Sequence, residues 1–594
     1  MPNRKRHLLS RRQALAILLL IVVAGLCLSG RYLAQPDKEL ALCVVTDDAY
    51  YYFQTARNIA AGKGSVSSGG IEHNGYHPLW LLISSFFYKV SPDSAGPFFA
   101  IRLILGFGIL LAALATLVVY RIARRLGCRR GTAIFAAAVF HLNPYMVELT
   151  VSGLEAPLNA LLLAGLFLSY LRLDIKRRAS WPGILCFGAL MGLTYLVRTD
   201  NIFFIAILWL GLFYRSIREG QSSDRMIAAG FLAFFIVLPW IMWNAVHFGG
   251  LVQGSASALP VVRFRVFLSE YPEVGPVDLF GWRLALVSSW FPSILWSSGL
   301  GLLWHAMGLL LIALLAPDRK HAPRIIRRRN RIARAVFAWV LLPTFLIAYL
   351  LGAKTSHLAV FDWGLMIFLG LWWGVFWTLL FRSSLPEAFT LKRNLTRLRP
   401  LLAAVILLGL VHKGLRLATR EWYFVPSDIL LALAWGLALE FVIARSRRVL
   451  SFAPPRRLAM TILVLGVAVI SAWFARKYRA QWGRPTNTYA WELMERVNQL
   501  EPLLHANERI GVTDSGLIGY VADVAVVNLD GVVNPEAAEA IEERRLLDYC
   551  RREGLQFLII TPRMVTPEIL GEKYLDDLER FPPLGPEGYR LRRD

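Results

Sequence analysis

Charged side chains are scarce in this chain. Asp, Glu, Lys and Arg make up 18% of its 594 residues, whereas 56% are hydrophobic and the mean hydropathy is +0.48. Soluble domains carry roughly 25% charged residues, because each domain needs a polar surface. The composition therefore excludes a multidomain soluble protein and a disordered chain.

Cysteine is scarce as well. Five cysteines are too few and too scattered for the disulfide framework of a secreted scaffold. Cys27 and Cys186 fall within apolar runs, and Cys43, Cys128 and Cys550 have no partner at the spacing of metal ligands. The sequence therefore predicts neither a disulfide-stabilised fold nor a cysteine metal site.

Apolar runs of about 20 residues, the length that crosses a bilayer as a helix, recur along the first 475 positions. We count about thirteen such spans. They cover residues 14–30, 98–120, 131–148, 154–171, 181–197, 201–214, 226–248, 295–316, 335–351, 359–381, 400–412, 422–444 and 458–475. This pattern predicts an α-helical polytopic membrane protein, with a transmembrane domain over 1–475.

The basic residues are distributed as membrane orientation requires. Lys and Arg outnumber Asp and Glu by 65 to 41, which in a soluble protein would suggest a nucleic-acid partner. Here the arginines cluster between apolar runs, so no nucleic acid is predicted. With a cytoplasmic N-terminus and a retained first span, every cluster falls on the cytoplasmic side. The clusters are Arg121–Arg130, Arg172–Arg178, Arg215–Arg225, Arg319–Arg334, Arg382–Arg399 and Arg445–Arg457.

One apolar stretch, Leu79–Val90, is left out of this count. It has about twelve residues, fewer than a hydrocarbon core requires, and counting it would move every later arginine cluster outside. We therefore predict a re-entrant or interfacial helix on the outer face.

The last segment, residues 476–594, differs in composition. Short apolar runs predict strands at 509–513, 524–529 and 557–561, and helices are predicted at 490–504 and 535–553. Thirteen spans leave this segment outside the membrane, so we predict a small extracytoplasmic α/β domain. Asp514-Ser515-Gly516 does not have the spacing of a nucleotide-binding loop and is interpreted as a strand-to-helix turn.

The first outer loop, residues 31–78, is rich in residues that could do chemistry. Asp47 and Asp48 precede three tyrosines and an amphipathic stretch that ends at Ala61; His73 and His77 follow before Pro78-Leu79-Trp80. A solvated helix start explains the two carboxylates equally well, and aromatic residues at an interface serve as membrane anchors. What favours a site is that all these residues lie close together at one interface.

At these residues the chain resembles the GT-C superfamily of integral-membrane glycosyltransferases. This superfamily includes protein O-mannosyltransferases, lipid A aminoarabinose transferases, oligosaccharyltransferase catalytic subunits and arabinofuranosyltransferases. Further local resemblances are Ser152–Glu155, Leu196–Asp200, Arg420–Pro426 and Val526–Asn534. The chain departs from the usual pattern at Leu251–Ser255 and in the region 349–363.

The resemblance implies transfer of a sugar from a polyprenyl-phosphate donor to an extracytoplasmic glycan, lipid or protein acceptor at the plasma or inner membrane. It implies Asp47, Asp48 and Glu155 as catalytic candidates, with one aspartate as general base. Because Asp48 opens the helix and would be used for capping, Asp47 is expected to be the freer of the two. The substrate-binding candidates are Arg57, His73, His77, Arg198, Lys354, His357, Arg420 and Tyr423.

Each of these candidates has an alternative explanation. Glu155 can be a helix-start carboxylate, Arg198 and Asp200 can form a structural ion pair, and the other cations can contact lipid headgroups. Some relatives hold a divalent cation with carboxylates, but no ligand constellation with clear spacing exists here, so no metal is assigned. A transporter or lipid flippase, or a non-catalytic membrane scaffold, remains the alternative function.

Overall fold

The computed structural model describes residues 9–173, 180–221, 223–270, 386–414, 421–449, 488–499, 504, 508–572 and 574–592. The predicted spans 295–316, 335–351, 359–381 and 458–475 lie outside the described residues, and so do Lys354, His357 and Arg420. The total of thirteen spans and the domain boundary at 475 therefore stay predictions.

In the described residues up to 449, every regular element is a helix. The first helices are α1 (Arg11–Leu33), α2 (Asp37–Cys43), α3 (Asp47–Ala60), α4 (Pro78–Val90), α5 (Pro97–Arg125), α6 (Arg130–His141), α7 (Pro144–Val151), α8 (Ala156–Arg172), α9 (Trp181–Val197), α10 (Ile202–Arg218), α11 (Asp224–Phe248) and α12 (Gly254–Glu270). Two more run over Pro386–Gly414 and Val425–Val449, the latter preceded by a 3₁₀ turn at Glu421–Phe424.

Among the described residues, six helices are long and apolar enough to cross a membrane, and a bent pair could add a seventh. Two further apolar helices, α8 and α9, have 17 residues each and coincide with predicted spans. The polytopic, mostly helical class predicted from the sequence is confirmed.

Two predicted spans have a different form from the one expected. Residues 131–148 form not one helix but the pair α6 and α7, bent by 52°. The bend falls at Asn143-Pro144, because a residue before proline is driven out of the helical region. The short span 400–412 is the end of a 29-residue helix that begins at Pro386, so the basic segment before it is helical as well.

The outer loop 31–78 folds onto the membrane helices. Its amphipathic stretch forms α3, as predicted, and buries three consecutive tyrosines and Phe53, with α4 and the tail helix Gly516–Val521 as its main neighbours. The stretch Leu79–Val90 is the 13-residue helix α4, begun by Pro78 at its first position. At about 1.5 Å per residue, α4 covers only two-thirds of a 30 Å hydrocarbon core. The length of α4 therefore matches that of the predicted interfacial helix.

The tail contains one five-stranded sheet with strands β1 (Arg509–Val512), β2 (Ala525–Asn528), β3 (Phe557–Ile559), β4 (Leu578–Arg580) and β5 (Gly588–Leu591). The strand order is β2-β1-β3-β5-β4, with β1 parallel to β2 and β3, and β5 antiparallel to β3 and β4. The three predicted strands and the α/β class of the tail are confirmed; β4 and β5 were not predicted.

The tail helices lie on both faces of the sheet. They run over Thr488–Asn498, Gly516–Val521, Pro535–Glu542, Leu546–Arg552, Pro567–Leu570 and Tyr574–Asp577. The single helix predicted at 535–553 is divided, because Arg544 adopts a positive φ of 60° between the two pieces. The turn predicted at Asp514-Ser515-Gly516 is present and opens the helix Gly516–Val521.

The tail packs directly on the outer loop. The helix Gly516–Val521 contacts α3, and α12 contacts the helix Pro535–Glu542. Leu517 and Tyr520 belong to the same hydrophobic core as Tyr50 and Phe53 of α3. The tail therefore covers the start of α3 at Asp47.

Candidate functional site

Asp47 is bound by the tail. Its Oδ1 accepts a hydrogen bond of 2.8 Å from the Leu517 amide, and its Oδ2 accepts one of 3.2 Å from the Gly516 amide. Burial at this junction raises the pKa of Asp47 to about 8, although the two amides oppose that shift and the neighbouring Asp48 adds to it. The carboxylate of Asp47 thus binds the tail.

Asp48 is the exposed member of the pair. The helix starts after Thr46, whose side chain makes no capping hydrogen bond, and both aspartates occupy the first turn. The expectation that Asp47 is the freer of the two is wrong, since two backbone amides hold its carboxylate. The reason is a contact that sequence cannot show, because the two amides that hold Asp47 come from the tail.

More carboxylates meet at this junction. Asp530 accepts hydrogen bonds from the Tyr51 hydroxyl at 3.3 Å and from the Asp514 amide at 3.1 Å. Burial, followed by the charge of Asp514, raises the pKa of Asp530 to about 6. Asn528 donates to Tyr51 from the same strand end, so the phrase Val526–Asn534 forms the tail's contact with α3.

A second charged group lies within the membrane part and centres on Arg198. Its Nη1 donates to Glu155 Oε1 at 2.6 Å, while its Nε and Nη2 donate to the two oxygens of Asp200 at 3.1 and 2.8 Å. Asp200 also contacts His412 Nε2 at 2.9 Å. Glu155 is 2% exposed and Arg198 5% exposed, so these charges neutralise one another away from bulk water. The Arg198–Asp200 ion pair considered from the sequence is present.

Aromatic and imidazole groups surround this network. The Tyr52 hydroxyl donates to Glu155 Oε2 at 3.2 Å, and His77 Nε2 lies 4.0 Å from Glu155 Oε1. The Tyr423 ring lies 4.9 Å from Cζ of Arg198. Burial, the largest influence, lowers the pKa of His77 despite the nearby Glu155. The structure therefore brings together four of the candidates named from the sequence: Glu155, His77, Arg198 and Tyr423.

The Ser152–Glu155 turn joins this network to the outer loop. Thr46 donates through its amide, at 3.0 Å, and its hydroxyl, at 3.2 Å, to the Ser152 carbonyl. The indole of Trp80 donates to the Gly153 carbonyl at 2.9 Å. Gly153 has a φ of 87°, and a side chain there would meet Ala49 and Phe53 of α3. The glycine lets α3 lie directly against the turn that carries Glu155.

Arg57 and His73 lie elsewhere. Arg57 stacks on the Tyr520 ring at 4.5 Å and donates to the Tyr520 carbonyl at 3.3 Å, which joins α3 to the tail. His73 accepts from the Gly75 amide with Nδ1 and contacts Thr55 Oγ1 with Nε2 at 2.9 Å. Burial lowers the pKa of His73 to about 3, so this ring is neutral. The structure does not bring either side chain to the Arg198 network.

Two members of the network were missed from the sequence. Asp200 was considered only as a partner of Arg198, and His412 was not singled out. A histidine at the outer end of an apolar span is the signal that could have found His412. In the described ranges, no group of three or more His, Cys, Asp or Glu side chains could hold a metal ion.

Two family models match the chain. Residues 78–243 match the dolichyl-phosphate-mannose-protein mannosyltransferase family, and residues 477–593 match a domain of unknown function, DUF8728. No curated protein sequence matches the chain. The first match includes α4, Glu155, Arg198 and Asp200, and the second covers the tail sheet.

Several solved structures resemble the chain. The archaeal oligosaccharyltransferase AglB from Archaeoglobus fulgidus is 14% identical over 92% of this chain and 69% of its own, with a TM-score of 0.49. ArnT from Cupriavidus metallidurans is 14% identical over 92% of this chain and 93% of its own, with a TM-score of 0.45. The S. cerevisiae protein O-mannosyltransferase Pmt1-Pmt2 complex is 17% identical over 42% of this chain and 36% of its own, with a TM-score of 0.31.

All three TM-scores are under 0.5. The family match over residues 78–243 is therefore a stronger basis for identification than these structural similarities. That match falls on the helices that carry the Glu155–Arg198 network and on α4, which ends the outer loop. The resemblance drawn from the sequence is confirmed over this part of the chain: residues 78–243 of this multi-span protein match a family of membrane glycosyltransferases.

Proposed function

We propose that this chain transfers a sugar from a polyprenyl-phosphate-linked donor to an extracytoplasmic acceptor, with Asp48 as the general base. The acceptor is a glycan, lipid or protein of the cell envelope. The reaction takes place on the outer face of the plasma or inner membrane, and the tail lies in the periplasm or outside the cell.

This proposal depends on one observation: two adjacent carboxylates have different surroundings. Asp47 is held by the amides of Gly516 and Leu517, whereas Asp48 is exposed. The charge of Asp48 also acts on Tyr423, whose ring lies on Arg198. An accessible carboxylate beside the Arg198 network is what deprotonation of an acceptor at this interface needs.

The proposed step is a single displacement with inversion. The acceptor oxygen or nitrogen forms a bond to the anomeric carbon as the bond from that carbon to the phosphate oxygen breaks. Asp48 takes the acceptor's proton, and the polyprenyl phosphate leaves with the bonding electrons. The charge that develops on the phosphate needs fixed cations.

Two of the candidate cations are already engaged. Arg198 is already paired with Glu155 and Asp200, and Arg57 is used at the tail contact. We therefore propose Lys354, His357 and Arg420 as phosphate ligands, and we propose that Glu155, His77, Arg198 and Tyr423 shape the wall of the site. The short α4, whose Leu82 and Phe86 are exposed, provides the surface along which the lipid enters from the bilayer.

The test is transfer of labelled sugar by the full chain in proteoliposomes. Undecaprenyl-phosphate sugars carrying glucose, mannose, galactose or arabinose serve as donors, and an envelope fraction supplies acceptors. Asp48→Asn should lower the transfer rate by about 10²–10⁴-fold. Asp523→Asn, which changes an exposed aspartate of the tail, is the matched control and should leave the rate unchanged. Parent-like transfer by Asp48→Asn would exclude Asp48 as the base, and absence of transfer from every donor would exclude the proposed donor class.

A further inference from the structure

Several buried polar atoms near the Arg198 network have no hydrogen-bond partner among the described residues. Besides His412 Nδ1 of the network itself, they include Trp240 Nε1, Asn244 Nδ2, Gln253 Oε1 and His77 Nδ1. Trp240 is 8% exposed, Gln253 5% and Asn244 0%. A buried polar group without a partner costs free energy, so four of them in one region point to a ligand that supplies the missing bonds.

The four residues lie in one closed ring of contacts. His77 is near Glu155, which binds Arg198; the adjacent Thr199 accepts from Gln253 Nε2 at 2.8 Å. The amide of Gly254, which follows Gln253, donates to Asn74 Oδ1 at 2.9 Å. Two further contacts, both made by residues of α11, complete the ring.

On α11, Asn244 Oδ1 accepts from Asn74 Nδ2 at 3.0 Å. Trp240 lies one helical turn earlier on the same face, and its ring centroid is 5.7 Å from that of Tyr76, the neighbour of His77. The four unpartnered atoms therefore belong to residues that one ring of contacts links together, which we call the orphan patch: His77, Trp240, Asn244 and Gln253.

The orientation of the Asn244 amide follows from the contacts. A backbone amide can only donate, so the Gly254 contact identifies the oxygen of Asn74 and makes its nitrogen the donor to Asn244. The atom of Asn244 left without a partner is therefore the nitrogen. For Gln253, one polar end of the amide remains without a partner whichever way the group is turned.

The mixture of donors and acceptors indicates the class of ligand. The indole nitrogen and the Asn244 nitrogen donate, the unpartnered end of the Gln253 amide accepts or donates according to how the group is turned, and a neutral imidazole has one nitrogen of each kind. A phosphate would need donors and positive charge, yet Arg198 is neutralised by two carboxylates. A cation would need acceptors alone. Hydroxyl groups both donate and accept, and the Trp240 and Trp243 rings, stacked at 5.2 Å, provide an apolar face beside them.

We propose that the orphan patch binds the hydroxyl groups of the sugar carried by the lipid-linked donor. The inference rests on the proposed function and adds to it the residues that select the sugar. The donor is favoured over the acceptor because two of the four residues lie on the membrane helix α11, whose Phe231, Phe234 and Phe235 are exposed where lipid would lie. The departure from the usual pattern at Leu251–Ser255 falls on this patch.

The test compares binding of undecaprenyl-phosphate mannose, glucose and arabinose with binding of bare undecaprenyl phosphate to the full chain in nanodiscs. The parent should bind at least one sugar-bearing lipid more tightly than the bare lipid. Trp240→Phe keeps the ring and removes only the N–H, and Asn244→Leu removes the second donor. Each should reduce that difference by about 3–10-fold and leave affinity for the bare lipid unchanged.

Trp181→Phe is the matched control, because Trp181 is exposed at the start of α9, the opposite end of that helix from Arg198, and has no contact with the orphan patch. It should retain the parent's preference. If Trp240→Phe and Asn244→Leu keep the full preference while transfer proceeds, the patch does not bind the donor sugar and the proposed function stands. If both variants change only the acceptor's KM, the hydroxyl groups come from the acceptor and the inference is wrong. If the parent transfers no sugar from any donor, the proposed function fails and the inference fails with it.

Discussion

The carboxylate of Asp47, in the first outer loop, accepts a hydrogen bond of 3.2 Å from the amide of Gly516, 469 residues further along the chain. The fit around this bond is close, since a Cβ atom on Gly516 would lie 2.2 Å from the Asp47 carbonyl oxygen and 2.6 Å from its Oδ2. The tail thus forms one wall of the region where we propose that transfer occurs.

Gly516→Ala should separate the tail from the outer loop. A methyl group at this position collides with backbone, which cannot move aside as a flexible side chain could, and overpacking typically costs about 1–3 kcal/mol. We expect faster hydrogen exchange in α3 and in the helix Gly516–Val521, together with slower transfer. Gly30→Ala is the control, because no atom lies within 4 Å of its added Cβ. Unchanged exchange in Gly516→Ala would contradict the close contact.

The contact between tail and loop should weaken as pH rises. The pKa of Asp47 is raised to about 8 and that of Asp530 to about 6, so the folded protein holds protons that separated segments would release near pH 4. The stability from these protons is complete below about pH 4 and is lost as pH rises towards about 8. Hydrogen exchange in Gly516–Val521 should therefore be slower at about pH 5.5 than at about pH 8.5, after correction for intrinsic rates.

The control for this pH dependence is the double variant Asp47→Asn with Asp530→Asn. It removes both titrating groups, so the difference between the two pH values should disappear even if the contact is weaker overall. A difference of the parent's size in this variant would assign the pH dependence to other groups.

Arg198→Gln should destabilise the membrane part more than Glu155→Gln. The first change leaves Glu155 and Asp200 buried without their counter-charge, and breaking a buried pair in this way typically costs about 3–5 kcal/mol. The second change leaves Arg198 paired with Asp200. Thermal unfolding in detergent, followed by the fraction of protein that stays monodisperse, measures the order. Equal or reversed unfolding temperatures would mean that these charges do not neutralise one another.

Reporter fusions test the orientation that we propose. Fusions within 121–130, 215–225, 319–334 and 445–457 should report the cytoplasm, because arginine-rich loops stay on that side. Fusions after residue 476 should report the outer side. A cytoplasmic signal from the tail would overturn both the number of spans and the exclusion of Leu79–Val90 from it.

Local sequence signals accounted for most of the described fold. Apolar runs located the spans, the amphipathic stretch after Asp48 located α3, and β-rich runs located β1, β2 and β3. The bend at Asn143-Pro144 had a local cause in the proline, but the run of apolar residues across it hid the break. The strands β4 and β5 are three and four residues long and carry exposed charges, so no apolar alternation marks them.

The site was less predictable, because its contacts join distant parts of the chain. Glu155 and Arg198 were candidates because charge at the end of an apolar span is costly, and the structure pairs them. Nothing near Asp47 in sequence could reveal that residues of the tail bind it. For the same reason His412, 212 positions from Asp200, was not found.

The tail contact also has a consequence for biosynthesis. Ribosomes make the chain from its N-terminus, so α3 emerges long before Leu517, Tyr520 and Asp530, which complete its hydrophobic core and bind Tyr51. Until those residues have been made, the aspartate pair has no partner from the tail. A nascent or prematurely terminated chain can therefore hold its membrane helices and still lack the wall against which we propose that sugar transfer occurs.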